Sequence, residues 1–397
     1  MIRIGMYNRW LKTLGGGERY SLAIAEYLSK TCDVEVISHE LLDMRVASQR
    51  LGLALGNVRL KVIPAASDLT ALSGQYDLFI NASHWNFFPS IASKSALIVF
   101  FPFHLGNPLL AQIRYLIGRS LNSFPLNSLI RVLLTKRFSD LQTRLDNLVP
   151  PNFLMAVDSY TQLWSISHFS QEWTQTYWRR PSHLLYPFVT IEQIQPRPKQ
   201  QLILNVGRFF AGNHNKKHLV MIDSFKQMLN HGLQGWELHL AGGSMSGFAH
   251  EEYLSQIRKA SENLPIYLHV DLDRAALIEL YGKSAIYWHA SGYGEDESRE
   301  PHKFEHFGIT TVEAMAAGCV PIVIGRGGQP ELVDHNVNGL LWQSLPELVS
   351  LSTELMRDQA RMEQLSKASI ARSRQFGQSI FENRLYELLL QMNVNLS

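Results

Sequence analysis

The sequence predicts an α/β protein with two doubly wound domains, each a parallel sheet covered by helices on both faces. Short apolar strands alternate with helical patterns along most of the chain. A stretch with two prolines and no apolar periodicity, QIQPRPKQQ at 193–201, interrupts this alternation near the middle, as a linker would. At 397 residues, the chain is long enough to bury two separate cores.

The elements follow in order on both sides of this linker. The predicted first domain, 1–195, opens with the strand IRIGMY, the helix ERYSLAIAEYLSK and the strand DVEVIS. The predicted second domain, 196–375, alternates the strands QLILNVG, WELHLAG, IYLHV and AIYWHAS with helices at 217–230, 251–261 and 274–283. Residues 376–397 predict a last helix that crosses back to the first domain. Ligands of such sheets bind beyond the carboxyl ends of the strands, so we expect the site in a cleft between the domains.

Charge and composition restrict the setting in which this protein works. Residues 1–200 contain 20 Lys and Arg against 13 Asp and Glu, whereas residues 201–397 contain 17 against 22. A basic half and an acidic half predict two domains that face different partners, and we expect no nucleic acid among them.

No apolar run approaches the roughly 20 residues of a membrane-spanning helix, and the chain opens on a strand rather than a leader. Cys32 and Cys319 lie far apart in apolar contexts, which predicts buried thiols and a cytoplasmic protein.

A triple glycine follows the first strand and opens a helix, in LGGGERYSLAIAEYL at 14–28. Gly16 and Gly17 would let the main chain approach a ligand closely, and a helix N-terminus attracts an anion. A plain tight turn remains the alternative. The segment is not a phosphate-binding P-loop, because no Lys-Ser/Thr pair follows it.

Three basic residues follow the first strand of the second domain, in NVGRFFAGNHNKKHL. Arg208 comes directly after the strand, and Lys216 and Lys217 open the next helix. Lysines are unfavourable at a helix N-terminus unless an anion lies nearby, so the three could hold a diphosphate without a metal ion. The alternative is that the lysines point into solvent.

Two glutamates bracket a glycine in KFEHFGITTVEAMAAGCVPIV at 303–323. Gly308 predicts that Glu305 lies in a loop and Glu313 one turn inside the following helix. The main-chain N–H groups of Ile309, Thr310 and Thr311 should then face an anion. We expect Glu305 at the reacting end of the ligand and Glu313 within reach of a sugar hydroxyl, unless Glu313 is only a favourable first-turn residue.

These segments together resemble the retaining glycosyltransferases of family 4, which have the GT-B fold of two Rossmann-like domains. The resemblance rests on GGGE, SISHFSQEW…LLYPFV, VGRFF…NKK, HLAGG, the two glutamates with AMAAGCVPIV, and GGQPELVDHNVNGLL. It covers about the first 40 residues and nearly all of 160–345. Residues 41–160 match poorly, in the part where such enzymes differ in acceptor.

The resemblance implies transfer of a hexose from a nucleotide-diphosphate sugar to a saccharide or lipid-linked acceptor, without a metal or other cofactor. UDP-glucose is the favoured donor and GDP-mannose the next. Glu305 matches the glutamate at the reacting face of the sugar, and Glu313 the one that holds the ribose hydroxyls. The other implied donor-binding residues are Gly16, Gly17, Arg208, Lys216, Lys217, His306, Phe307, Gly308, Ile309, Thr310 and Thr311.

Many members of this family also have a catalytic histidine after a strand of the first domain. His104, in SALIVFFPFHLG, is the candidate here, but Phe100 takes its place in the register that aligns Pro102. His84, in NASHWN, is the rival. Either histidine could instead be a packing or surface residue.

Several other patterns have weaker functional interpretations. His302 and His306 have metal-ligand spacing, but Pro301 and Gly308 leave no room for the required helix. The acidic run 295–297 predicts a solvated loop or an acceptor contact. Residues 109–144 mix Leu and Ile with basic residues, which predicts either an ordinary packed helix or peripheral binding to an anionic membrane. A nucleotide-sugar 2-epimerase and a non-catalytic nucleotide-sugar binding protein share the fold and remain alternatives.

Overall fold

The computed structural model of the protein describes residues 1–104, 151–212 and 214–396. These residues form two compact units, each with its own parallel sheet. The first unit takes its described residues from Met1–Ile166, Ser170–Leu185 and Arg384–Ser397, and the second consists of those in Ser167–Phe169 and Tyr186–Asn383. The predicted fold class, two doubly wound α/β domains, is confirmed.

The sheet of the first unit has the strand order β3-β2-β1-β4-β5-β6-β7 among the described residues. Its strands are β1 (Arg3–Tyr7), β2 (Asp33–Ser38), β3 (Val58–Val62), β4 (Leu78–Asn81), β5 (Lys94–Val99), β6 (Gln162–Ser165) and β7 (His183–Leu184). The order reverses on either side of β1, and ligands bind at such a switch point. A ligand of this sheet is therefore expected at the loops after β1 and β4.

The helices that begin in the first part of the chain follow the predicted alternation. They are α1 (Gly16–Leu28), α2 (Met44–Leu51), α3 (Leu69–Ser73), α4 (Pro151–Asp158) and α5 (His168–Trp178). Asp43 and Asp68 accept hydrogen bonds from the first-turn N–H groups of α2 and α3, which fixes where these two helices begin.

The sheet of the second unit repeats the same topology, with the strand order β10-β9-β8-β11-β12-β13. Its strands are β8 (Gln200–Val206), β9 (Glu237–Gly242), β10 (Ile266–Val270), β11 (Ser284–His289), β12 (Val320–Ile324) and β13 (Leu340–Trp342). The switch point lies between β8 and β11. Arg208 follows β8 in the loop after Val206, and His289 is the last residue of β11.

The helices in the second part of the chain lie close to the predicted ranges. They are α6 (His218–Asn230), α7 (Phe248–Ser261), α8 (Arg274–Lys283), α9 (Ile309–Ala316), α10 (Leu345–Arg357), α11 (Gln359–Ser373) and α12 (Gln378–Gln391). The β11 strand shows how the core is built: Ile286 and Trp288 join the large apolar cluster on one face, so Tyr287 and His289 point to the other.

The units do not divide where the sequence places the linker. Residues 186–195 belong to the second unit, because Tyr186 donates a hydrogen bond to Glu331 and the main chain of Val189 pairs with Phe376. Arg197 likewise pairs with Gly282 of that unit. The second division falls inside α12, after Asn383, rather than at 376. Proline content marks a break in apolar periodicity but says nothing about these tertiary contacts.

Some expectations concern residues that lie outside the described ranges. The basic amphipathic segment 109–144 is the main one, with Arg114, Arg119, Arg131, Lys136, Arg137 and Arg144. Within the described ranges, no helix is both long enough and apolar enough to cross a bilayer.

Candidate active site

The turn before α9 depends on a glycine. Gly308 has φ +113°, and a Cβ there would lie 2.4 Å from Nε2 of the buried Gln329. Gln329 accepts a hydrogen bond from the Thr311 hydroxyl at 2.9 Å. The helix begins at Ile309, so Glu305 lies in the preceding loop and Glu313 in the helix, as the glycine predicts.

The main chain around Glu305 is held by a second pair of glycines. The Gly328 N–H donates to the Glu305 carbonyl at 2.7 Å. A Cβ at Gly327 would lie 2.6 Å from that carbonyl oxygen, and one at Gly328 would lie 2.5 Å from the carbonyl oxygen of His306. The glycines of GGQPELV therefore allow two loops to lie against each other and fix the position of Glu305.

The Glu305 carboxylate has one oxygen fixed and the other open. Both Lys216 Nζ, at 2.5 Å, and His289 Nε2, at 3.0 Å, contact Oε2. Within the described part of the chain Oε1 has no such contact, nor is it among the buried polar atoms without a partner. The side chain is 19% exposed. Glu305 thus presents one oriented, accessible oxygen.

The charge of Glu305 is maintained by these two neighbours. Burial raises the pKa of the Glu305 carboxyl, but the Lys216 charge and the His289 hydrogen bond outweigh this effect and hold the pKa well below its usual range. The carboxylate is therefore ionised at neutral pH. It can stabilise positive charge, but it cannot donate a proton.

His289 is a site residue that the sequence analysis missed. It is the last residue of β11, it is 2% exposed, and it lies beside Glu305 in space although 16 positions before it in sequence. The sequence signal that could have found it is the alternation of side chains along β11, which places His289 on the same face of the sheet as Tyr287. Tyr287 contacts the Thr310 hydroxyl at 2.8 Å.

The two lysines differ from the prediction that they face an open anion site. Lys216 pairs with Glu305, and Lys217 Nζ lies 2.7 Å from Glu295 Oε1. Glu295 also pairs with Lys303 at 2.9 Å and is only 20% exposed, so the solvated loop expected at 295–297 is wrong for this residue. The anions that offset the lysines at the start of α6 are the protein's own carboxylates.

Arg208 is the exposed cation at the end of β8. Its guanidinium lies 5.9 Å from the centre of the Phe210 ring, and no ion pair to it occurs among the described residues. The main chain just before Arg208 lies against Gly242 of β9. A Cβ at Gly242 would lie 1.9 Å from the Gly207 carbonyl oxygen, so this position needs glycine. Arg208 is thus available to a ligand anion.

The helix start of α9 offers fewer donors than predicted. The Thr311 N–H donates to the Gly308 carbonyl at 3.0 Å, so it does not face an anion. No main-chain partner of the Ile309 and Thr310 N–H groups occurs among the residues that the structure describes. These two groups remain as the donors at this helix start.

Glu313 occupies a buried position rather than an open one. Its side chain is 4% exposed, Oε1 pairs with Arg274 at 2.8 Å, and Oε2 accepts from the Tyr281 hydroxyl at 3.0 Å. Arg274 and Tyr281 thus occupy both oxygens of Glu313, and its contact with a sugar hydroxyl stays a prediction. Arg274, which no motif singled out, lies against it.

The remaining predicted residues of this segment are packing residues through their side chains. Phe307 is 2% exposed and packs on Tyr186 and Phe376, so only its main chain could meet a donor. The His306 ring stacks on Phe169 and meets His214 edge-on. No group of metal ligands involving His302, His306 or any other described residue has the geometry to hold a metal ion.

A glutamate binds the main chain of the glycine loop in the first unit. Glu18 accepts hydrogen bonds from the Gly15 N–H at 2.9 Å and the Thr13 hydroxyl at 2.7 Å, and Gly15 is the N-cap residue of α1. A Cβ at Gly17 would lie 3.3 Å from the Phe100 ring, so this close approach favours glycine. The carboxylate at the start of α1 would repel an anion placed there.

The two candidate histidines of the first unit have different surroundings. His84 meets Phe100 edge-on at 6.0 Å, stacks on Trp85, and lies near the same ring as Gly17. Burial lowers the pKa of His84 to about 4. His104 is exposed and its ring contacts Tyr177 instead. The structure groups His84, and not His104, with the glycine loop.

Part of this chain is similar to known glycosyltransferases. Residues 189–372 match the family described as "Glycosyl transferases group 1". The alpha-1,3/1,6-mannosyltransferase ALG2 of Mus musculus is 26% identical over 217 residues, which cover 51% of this chain and 48% of the relative. The GDP-Man:Man(3)GlcNAc(2)-PP-Dol alpha-1,2-mannosyltransferase of Dictyostelium discoideum is 24% identical over 202 residues, which cover 48% and 37%. The chain thus spans about half the length, or less, of the curated relatives it matches.

Solved structures extend the likeness to the whole chain at the level of fold. Anabaena HepE in complex with UDP matches with a TM-score of 0.69 at 15% identity, covering 98% of this chain and all of that one (100%). Identity this low supports the fold alone. Residues 189–372 are therefore similar to the glycosyl transferases group 1 family, in a chain with the GT-B fold.

Proposed function

We propose that the protein is a retaining glycosyltransferase that moves a hexose from a nucleotide-diphosphate sugar to a saccharide or lipid-linked acceptor. The observation that carries this proposal is the Glu305 carboxylate, ionised, with one oxygen held by Lys216 and His289 and the other accessible. It lies just before the start of α9, and Arg208 follows the neighbouring strand, so a charged sugar donor has both an anion and cations to meet.

Each group has a distinct role in this proposal. Arg208 and the N–H groups of Ile309 and Thr310 bind the diphosphate and stabilise it as it leaves. Lys216 keeps contact with Glu305 and offers its remaining donors to the phosphates. The open oxygen of Glu305 faces the sugar, where positive charge develops as the bond from the anomeric carbon to the diphosphate breaks.

The acceptor hydroxyl attacks the anomeric carbon from the face that the diphosphate leaves, which retains the configuration. A bond forms between the acceptor oxygen and the anomeric carbon, and the hydroxyl proton passes to an oxygen of the departing diphosphate. No metal ion is needed, because the cations and helix N–H groups neutralise the leaving group. Addition of EDTA should leave the rate unchanged, and a loss of activity restored by Mn²⁺ would contradict this point.

The donor is the first property to test. UDP-glucose is the donor favoured from the sequence, with GDP-mannose next, whereas the curated relatives named above are mannosyltransferases and favour a mannose donor such as GDP-mannose. Slow hydrolysis of a panel of nucleotide sugars, measured without acceptor, would identify the base and the sugar together. A panel without turnover, but with binding, would favour the non-catalytic alternative, and acceptor-independent interconversion of two sugars would favour the epimerase.

A saccharide acceptor is supported by an aromatic surface in the first unit, defined by Trp10 and Trp85. These side chains are 47% and 59% exposed, on the loops after β1 and β4. The Trp10 indole N–H donates to the His84 carbonyl at 3.1 Å, and Trp85 has a left-handed backbone with φ +56°. Exposed, fixed aromatic faces suit the apolar face of a pyranose ring. Replacing Trp85 with Ala should raise KM for the acceptor and leave donor hydrolysis unchanged.

A further inference from the structure

We propose that His289 is a positioning residue for Glu305, a neutral imidazole that holds one carboxylate oxygen so that the other faces the donor sugar. The role of Glu305 itself rests on the proposed function. The assignment of His289 goes beyond it, because no motif marks this residue.

The hydrogen bonds determine which nitrogen carries the proton. Glu305 is ionised and can only accept, so His289 Nε2, at 3.0 Å from Oε2, is the donor. His289 Nδ1 is buried and has no partner among the described residues. A second proton at Nδ1 would be buried beside the Lys216 ammonium without an acceptor. The ring therefore stays neutral as the Nε2–H tautomer, in line with the lowering of its pKa by burial.

The strand that carries His289 holds the catalytic turn at two points. Tyr287 and His289 are two residues apart on β11 and share one face of the sheet. Tyr287 contacts the Thr310 hydroxyl at 2.8 Å and His289 contacts Glu305, at the two ends of the 305–310 turn. Because β11 is central in its sheet, this face is a rigid base from which to orient a carboxylate.

The alternative is that His289 only fills the core. A buried imidazole with an unpartnered nitrogen is a poor choice for that purpose, since burying a polar atom without a hydrogen bond is unfavourable and an apolar side chain would avoid it. A residue kept at the expense of stability is expected where function requires it. His289→Leu should therefore be no less stable than wild type and yet turn over more slowly.

The first experiment compares His289→Leu and His289→Gln in steady-state hydrolysis and transfer. The leucine should lower kcat about tenfold to a hundredfold, as for loss of one hydrogen bond to a charged group, with little change in the Kd for nucleoside diphosphate. Glutamine can place an N–H near the former Nε2 position and should recover most of the rate. His239→Leu is the matched control, because His239 contacts Glu237 at the same 3.0 Å in the same unit, away from Glu305. Wild-type kcat in His289→Leu, or equal losses in all three variants, would overturn the proposal.

The second experiment does not depend on activity. NMR titration of ¹³C-labelled glutamate side chains, with Glu305→Gln to identify the signal, reports the ionisation of Glu305 directly. The Glu305 carboxylate should titrate at a higher pH in His289→Leu than in wild type, and near the wild-type pH in His289→Gln. An unshifted titration in the leucine variant would overturn the assignment of His289. If the wild-type protein has no transferase activity but the titration of Glu305 still shifts in His289→Leu, only the proposed function would be refuted.

Discussion

Glu305→Gln is the substitution that tests the site most directly, because it keeps the size of the side chain and removes its charge. In the proposed reaction this charge faces the sugar as positive charge develops. Loss of one preorganised electrostatic stabiliser lowers kcat by a factor of about 10²–10³. The amide can still accept a hydrogen bond from Lys216 or His289, so the fold of the turn should survive.

The same substitution should not weaken nucleotide binding, in contrast to its effect on kcat. In the wild type the Lys216 ammonium lies 2.5 Å from Glu305 and is largely neutralised by it. Without that charge Lys216 is more available to phosphate, so affinity for the nucleoside diphosphate should stay the same or rise by up to about tenfold, roughly 1.4 kcal/mol. A fall in kcat together with an equal or lower Kd is therefore the expected signature.

Glu295→Gln is the matched control for this experiment. Glu295 also contacts a lysine of the pair, at 2.7 Å from Lys217, and its side chain is 20% exposed against 19% for Glu305. Its carboxylate is held by Lys217 and Lys303, so neither oxygen is reserved for a sugar. We expect kcat to change less than tenfold in this variant.

Steady-state kinetics and calorimetric titration with the nucleoside diphosphate measure the two effects separately. Turnover of Glu305→Gln near the wild-type rate would refute the role of Glu305 in the transition state. Loss of nucleotide affinity in Glu305→Gln, or equal loss of kcat in Glu295→Gln, would show that the carboxylate serves the ion pairs of the loop rather than the reaction.

Four further predictions use other parts of the molecule. Glu313→Gln should weaken nucleoside diphosphate binding about tenfold to a hundredfold, because the contact with the ribose hydroxyls that the resemblance implies is weakened, and it should lower the Tm, because the arginine and tyrosine bound to Glu313 lose a charged partner. Unchanged affinity in calorimetry would make Glu313 a purely structural residue. Burial lowers the pKa of His84 to about 4 in the folded state, so unfolding takes up a proton below the ordinary pKa near 6.5, and the free energy of unfolding decreases as the pH falls from 6.5 to 4. In urea titrations at pH 7.5 and 4.5, His84→Gln should make this decrease smaller by on the order of 2 kcal/mol. Equal pH dependence in both proteins would contradict this. Lys199 donates to the carbonyls of Gly282 and Ala317 at 2.9 and 2.6 Å, so Lys199→Met should cost about 2 kcal/mol of unfolding free energy while Lys226→Met, at an exposed ion pair, costs almost none. Residues 109–144 should bind anionic vesicles reversibly, at about 1 kcal/mol per basic residue near the surface, in sedimentation at low salt; absence of binding there would mean that the segment simply packs.

The sequence by itself determined the elements that local patterns encode. Apolar alternation and glycine positions were enough to predict the two parallel sheets, the start of α9 after Gly308, and Glu305 in the loop before it. These features depend on steric preferences of a few consecutive residues, which is why they can be read from the chain. Helix bounds were predicted less well: α7 begins at Phe248 rather than 251, after Gly247 with φ +119° and without a side-chain cap, and α12 ends at Gln391 rather than 397.

The partners of each charge were decided only by the tertiary structure. The sequence assigned Lys216 and Lys217 to a ligand anion, but folding brings Glu305 and Glu295, some 80 to 90 positions away, within ion-pair distance of them. In the same way Arg274 covers Glu313, and His289 fixes Glu305, although none of these pairs is close in sequence. A side chain's pKa and accessibility depend on groups that approach it in space. Residue type and spacing can therefore locate a site along the chain, whereas the packing of β8, β11 and α9 decides which oxygen of Glu305 is left open.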